Sequence, residues 1–394
     1  MRAFFVYFGP LDVNSAIQAF HFGNELTDQG WEVVLAGLGD TRRMAAVGEA
    51  RFTVISHDEI GSTAGRLPRG DGETIVIAWT PRERVRRLVE PLAARLDAPY
   101  VVHLEDNERF LLESTLHMSL QELQRLPMRE QDHITPIDVI HPSRHLDLLR
   151  GAAAVTVITE ELNEFNVAGR PHHVARPGID SERFEPDLEP PVSRRQLGLG
   201  VDDFVLVYHG TVHYANQHEM LSLYLAVQLL RRQGRRVRLV RIGHTEFGGV
   251  DPLAFRAMGE GVIELGPVPW RDMPAYLALA DAYVQPGAPD DFNRYRLPSK
   301  LPEFLAMGRP VILPHCNIGH DLEHGENALL LEEGNAIDIV GRVEELMADP
   351  QLAERLGRGA RAFALEQLSW PANATALADF YRATMATPVA DQLA

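Results

Sequence analysis

What most constrains this chain is the alternation of short apolar runs with stretches of helical periodicity, carried from one end to the other. That order calls for parallel sheets with helices on both faces. The first half supplies candidate strands at 3–8, 32–36, 52–55, 74–78, 100–104 and 154–158. The second half supplies them at 204–209, 237–242, 262–265, 282–285, 310–313 and 328–331. A proline-rich stretch, 177–191, lies between the two sets. At 394 residues the chain is longer than one hydrophobic core normally serves, so two α/β domains, each a doubly wound parallel sheet, are expected. No solenoid-type period or low-complexity tract interrupts the pattern.

Charge and composition remove several classes of function. With a net charge of −17, the chain lacks the surplus of basic residues that holds a phosphate backbone, so nucleic acid is not expected as its main partner. A single cysteine, Cys316, excludes a disulfide framework and fits a reducing cytoplasm. The opening run MRAFFVYFG reads as a first strand, and no stretch approaches the roughly 20 apolar residues of a spanning helix. Two arginine clusters stand out: Arg82, Arg84, Arg86, Arg87 and Arg95, and Arg231, Arg232, Arg235, Arg236 and Arg238. Each reads as a solvated helix face, with peripheral contact of the first cluster with an anionic membrane leaflet as the sharper alternative.

The segment 296–314, RLPSKLPEFLAMGRPVILP, is the clearest candidate for a binding element. Ser299 is placed as an N-cap, Pro298 and Pro302 suit a helix entry, and Gly308 followed by Pro310 suits its stop. A helix start presents free N–H groups and partial positive charge, and Lys300 adds a full one, which suits a phosphate. Glu303, one turn in, is positioned for the hydroxyls of an attached sugar. The plainer reading is one more helix-and-strand unit, with Lys300 solvated and Glu303 on a polar face.

Other polar clusters fall where strands end, which is where open parallel sheets bind ligands. The loop after the first strand, GPLDVNSA, lacks the G-x-G-x-x-G fingerprint of a dinucleotide redox enzyme. After the fifth strand comes VVHLEDNERF, with His103, Glu105, Asp106 and Glu108 close together. These acids read either as ligands for hydroxyls or a proton-transfer group, or as a helix start capped by Asp106 or Asn107. No ligand spacing or D-x-D signature points to a metal. In HGTVHYANQHE, Gly210 would let backbone approach a pyrophosphate, with Thr211, His213 or Asn216 donating to it. Arg241 reads either as a second cation beside Lys300 or as a strand-end salt bridge.

These features together resemble the retaining GT-B fold glycosyltransferases of the family four class. Glu303 and AMGRPVI (306–312) match the family's donor segment, but the place of its first glutamate is taken by Tyr295, with Asp290, Asp291 or Asn293 near enough to substitute. VARPGIDSERFEP (174–186) resembles the family's connector, LGPVPWRDMPAYLALADAYVQPG (265–287) the elements before the donor segment, and LSWPANATALADFYRATM (368–385) its terminal crossing helix. The resemblance implies two Rossmann-like domains facing each other across a cleft, 1–185 plus a crossing helix 371–394, and 186–370. It implies transfer of a sugar, with retention and without a metal or other cofactor, from a nucleotide-diphosphate sugar to a glycan, lipid-linked or small-molecule acceptor. His103, Lys300 and Arg241 would carry the catalysis. Gly210, Thr211, Asn216, Ser299, Glu303, Tyr295 and Gly266 would hold the donor, the base lying at 266–270. Asp12, Asn14, Glu105 and Asp106 would face the acceptor. A non-catalytic sugar-nucleotide binder, and an epimerase or phosphorylase on the same architecture, remain as alternatives. A cytoplasmic protein, in peripheral contact with the inner membrane face where a lipid-linked acceptor is used, is the expected setting.

Overall fold

The structure is a computed structural model that describes residues 1–387 other than Val13, Tyr214, Phe247 and Gly249, the side chain of Asn14 also lying outside the described residues. The chain forms two compact units, Met1–Pro177 together with the chain from Trp370 on, and Gly178–Ser369.

In the first unit the strands are β1 (Arg2–Tyr7), β2 (Glu32–Gly37), β3 (Thr53–Ser56), β4 (Thr74–Trp79), β5 (Tyr100–Leu104), β6 (Ala154–Val157) and β7 (His172–Val174). They form one sheet in the order β3-β2-β1-β4-β5-β6-β7, with every pairing parallel. All six residues of β4, TIVIAW, are buried, as a central parallel strand covered on both faces requires. The helix Trp370–Ala386 returns to this unit and packs on the helix Asn14–Asp28. Trp370 stacks on His21 with ring centroids 4.5 Å apart, and Tyr381 meets Trp31 edge-on.

The second unit carries β8 (Phe204–His209), β9 (Val237–Ile242), β10 (Val262–Gly266), β11 (Ala282–Val284), β12 (Val311–Pro314) and β13 (Leu329–Leu331). Their order is β10-β9-β8-β11-β12-β13, again all parallel. Each sheet therefore reverses its winding once, between β1 and β4 and between β8 and β11. Crossovers leave in opposite directions there, which opens a crevice at the carboxyl ends of those strands.

Every strand anticipated from the sequence is present, with ends within one residue. One was missed: β7, of sequence HHV, is a three-residue edge strand bonded only to β6 and shows no apolar run. The division between the units comes after Pro177, earlier than the expected 185/186. Ile179 N–H donates to Leu368 O at 2.7 Å, and this ties the connector into the second unit from its first residues.

Candidate functional site

At the switch point of the second sheet stands Lys300, the first residue of the helix Lys300–Ala306. Its Nζ donates to Gln285 Oε1, just past β11, at 3.2 Å and to Tyr208 Oη, on β8, at 3.3 Å. It also lies 4.7 Å from the centre of the Tyr208 ring. Both partners are neutral, and no carboxylate among the described residues pairs with it. Lys300 is also the single lysine of the chain, the other 37 of its 38 basic residues being arginines (38 − 1 = 37). A half-buried ammonium held by neutral oxygens keeps its charge available to a ligand.

Gly210 lies directly beside this amine. With φ at +139° it occupies backbone space that a side chain rarely adopts, and a Cβ there would come within 3.0 Å of Lys300 Cε. Gly243, at the end of β9, has φ at +129°, and its Cβ would fall 2.4 Å from Gly210 O. Gly243 N–H in turn donates to Gly266 O at 2.8 Å, so the ends of β8, β9 and β10 form a row of bare backbone. Gly210 and Gly266 are anticipated from the sequence, whereas Gly243 is not, although a glycine directly after the strand in RIG is a local signal.

Two charged groups from outside the helix join the amine. Glu219, on the helix Gln217–Arg232, accepts from Asn293 Nδ2 at 2.6 Å and pairs with Arg296 at 3.3 Å. Burial pushes the Glu219 carboxyl up, while Arg296, Asn293 and Lys300 all pull it down. Burial likewise lowers His213, and the charges of Arg296 and Lys300 add to that. Asn293 is the hub: its Oδ1 accepts from both Nε and Nη2 of Arg296, and its backbone N–H donates to Asp290 Oδ1 at 2.9 Å. Arg296 is thus spent on Glu219 and Asn293.

Arg241 does not fill that place. Its Nε donates to Glu264, Nη1 to His244 O at 3.0 Å and Nη2 to Thr245 Oγ1 at 2.9 Å, which is the strand-end salt bridge of the two readings. Two further expectations change. Ser299 occupies the N-cap position, but its backbone is helical and its hydroxyl caps nothing. Asn216 closes its own loop, with Nδ2 donating to Thr211 O and Oδ1 accepting from His213 N, both at 2.9 Å. Tyr295 is buried at 5% exposure, with the Arg294 guanidinium 5.0 Å from its ring centre. Glu303 Oε2 lies 2.7 Å from His209 Nε2, off the line of a hydrogen bond. At 266–270, the Trp270 ring is partly exposed and Arg183 covers it at 3.2 Å.

In the first unit, polar atoms without a partner gather where β4, β5 and β6 end. Thr80 Oγ1, His103 Nε2, Glu105 Oε1 and Thr159 Oγ1 are buried and have no hydrogen-bond partner among the described residues. Buried polar groups are normally satisfied, so this concentration makes the strand ends a candidate ligand site. Thr80 also has φ at +78°, backbone strain in a β-branched residue of the kind that collects at functional sites. His103 Nδ1 bonds Thr156 Oγ1 at 2.9 Å and its ring lies against Trp79. Burial pushes the imidazole down to about 3, so it is neutral in ordinary conditions. Glu105 accepts from Trp79 Nε1 at 3.0 Å, and burial reinforced by Asp106 pushes its carboxyl up to about 7. Burial raises Glu108 to about 7 as well, against the pull of Arg82.

Arg82 organises these acids. It pairs with Glu108 at 2.9 Å, lies 3.8 Å from Asp106 and covers the Phe8 ring. Asn107, not Asp106, caps the helix Glu108–Leu116. Three more of the first arginine cluster are likewise spent on acids, Arg84 on Asp138, Arg86 on Glu83 and Glu90, and Arg87 on Glu83, while Arg95 reaches only Gly65 O at 3.5 Å. Asp12 pairs with Arg43 at 2.7 Å, while the side chain of Asn14 lies outside the described residues. Among the described residues no group of three or more His, Cys, Asp or Glu could hold a metal ion, and no helix is long and apolar enough to cross a membrane.

Two Rossmann-like parallel-sheet units with a terminal helix returning to the first make the architecture GT-B. The chain superposes on the Anabaena protein HepE in complex with UDP and glucose, with a TM-score of 0.69 at 17% identity, over 96% of this chain and 98% of that one. It superposes on WaaG, a glycosyltransferase involved in lipopolysaccharide biosynthesis, with a TM-score of 0.62 at 14% identity over 96% and 99%. Residues 203–349, within the second unit, match the family model of the glycosyl transferases group 1. Curated relatives include a D-inositol 3-phosphate glycosyltransferase of Pseudarthrobacter chlorophenolicus, 26% identical over 217 residues, 54% of this chain and 50% of the relative. Another is a GDP-mannose-dependent alpha-(1-6)-phosphatidylinositol monomannoside mannosyltransferase of Mycobacterium tuberculosis, 29% identical over 220 residues, 52% and 54%. The chain thus spans about half the length of the curated relatives it matches.

Proposed function

We propose that this protein is a glycosyltransferase that moves a sugar from a nucleotide-diphosphate donor to a hydroxyl of a saccharide or lipid-linked acceptor, with retention and without a metal. The observation that carries the reading is the lone lysine at the β8/β11 switch point, its charge uncompensated and glycine backbone beside it. A diphosphate laid along Gly210 would take the ammonium of Lys300 directly. That ammonium would stabilise the charge that builds on the diphosphate as the glycosidic bond breaks, the role a divalent ion has elsewhere. Glu303 suits donor hydroxyls. The orphan atoms of the first unit, Glu105 Oε1 and the two threonine hydroxyls among them, suit a hydroxyl-rich acceptor, and His103 Nε2 suits a sugar hydroxyl. No side-chain nucleophile is assigned; a phosphate oxygen of the donor would take the proton of the attacking hydroxyl.

The test is nucleoside diphosphate release from UDP- and GDP-sugars, with and without a panel of glycan and inositol-containing acceptors. Release that requires an acceptor supports the reading. A changed sugar nucleotide formed with no acceptor present would make the protein an epimerase, a requirement for inorganic phosphate would make it a phosphorylase, and binding without any release would make it a sensor or partner protein.

A further inference from the structure

The second unit has a cavity of about 670 Å3 at the opposite end of the Lys300–Ala306 helix. It opens beside Asp281, Arg309 and Pro310, which precede β11 and β12, so it lies at the amino ends of strands whose carboxyl ends carry the donor elements. Four arginines and two acids line it. Arg194 is spent on Asp281 at 2.7 Å and Arg358 on Glu354. That leaves two positive charges without a counter-charge. Arg361 Nη1 donates to Phe184 O at 2.9 Å and to Ala306 O, the last residue of the Lys300 helix, but pairs with no carboxylate. Arg309 is half-buried and makes no hydrogen bond or ion pair among the described residues.

The backbone holds these two together. Gly357 on the helix Pro350–Gln367 sits so close to Gly308 that a Cβ would fall 2.4 Å from Gly308 O, and this brings Arg361, one turn on, beside Arg309. Two guanidinium groups around one space, with its two carboxylates already paired to other arginines, are unfavourable unless an anion enters it. The planar fork of arginine matches a phosphate through paired N–H donors, and the volume is that of a small-metabolite site.

We infer that this cavity is a second anion site, for a small molecule bearing a phosphate dianion, held by Arg309 and Arg361. An anion there competes with the Ala306 carbonyl for Arg361, so occupancy reaches the segment that carries Lys300. The inference is independent of the sugar-transfer reading.

Calorimetric titration of the full chain with inorganic phosphate, and separately with a hexose phosphate, tests it in three proteins: unaltered, Arg309→Glu and Lys300→Gln. Arg309 has no partner to lose, so Arg309→Glu leaves the fold intact, as a matching near-ultraviolet circular dichroism spectrum will verify; Arg309→Gln repeats the test without an added negative charge. Phosphate binding should weaken at least about tenfold in both Arg309 variants and stay within about twofold in Lys300→Gln. Tighter binding of the hexose phosphate identifies a phosphomonoester as the natural ligand, and tighter binding of inorganic phosphate identifies the free ion. Equal phosphate affinity with and without Arg309, loss of binding in Lys300→Gln, or no binding by the unaltered protein at millimolar phosphate overturns the inference.

Discussion

Lys300→Gln separates binding from stability unusually cleanly. The ammonium makes only two contacts, at 3.2 and 3.3 Å, both long and both to neutral oxygens. An amide in its place keeps a donor for one of them, so folding stability should change by no more than about 0.5 kcal/mol. Binding should respond far more. A hydrogen bond from a charged donor to a phosphate contributes about 1.5–3 kcal/mol, and since Lys300 is only partly buried the lower half of that range applies after solvent screening. Each 1.4 kcal/mol is about tenfold in Kd, so the variant should bind UDP or GDP about 10- to 30-fold more weakly. Titration calorimetry with the two nucleotides measures the loss, and a urea melt checks that stability has not moved. Because the chain has one lysine, a second readout exists: reductive methylation with labelled formaldehyde places reporters only on Lys300 and the amino terminus. The Lys300 signal should shift on adding the bound nucleotide. A variant that binds both nucleotides within threefold of the unaltered protein, or a Lys300 signal unmoved at saturation, would refute the assignment.

Three further outcomes follow from the geometry. Gly243→Ala would bring a Cβ to 2.4 Å from Gly210 O at φ +129°, and should cost about 2–4 kcal/mol in urea unfolding, whereas Gly61→Ala, with open space around its Cβ, should cost nothing. Glu105 keeps its proton up to about pH 7 in the native state while the unfolded chain sheds it near its ordinary value. The native state thus holds the extra proton across that window and stability falls as pH rises through it; Glu105→Gln should remove about 3 kcal/mol of that fall, seen as a flatter profile of unfolding free energy from pH 4.5 to 8. Glu108 contributes a fall of the same sign, so the variant should keep part of the slope. Tyr295→Glu places a carboxylate at a buried position and should lower stability by about 2 kcal/mol or more without raising transfer activity; a gain in turnover would show that Tyr295 faces the ligand.

What the chain determined by itself was everything carried by local periodicity. The strand positions, their division into two parallel sets and the stop of the Lys300–Ala306 helix at Gly308 depend on residues a few places apart, and they emerged within a residue. The one missed strand, HHV, failed because a short edge strand needs no apolar run. That Lys300 and Gly210 stand at strand ends was also legible, since a glycine and a cation there are local signals. Which groups surround the lysine was decided only by the tertiary structure. Glu219 comes from 81 residues before Lys300 (300 − 219 = 81) and joins Arg296 through Asn293, while Arg241, equally well placed along the sequence, turns to Glu264 instead. Arg82, read as part of a solvated face, is instead drawn in among Asp106 and Glu108. An ion pair forms between whichever loops a sheet's winding brings to the same edge, and that winding order leaves no trace in the spacing of residues along one strand.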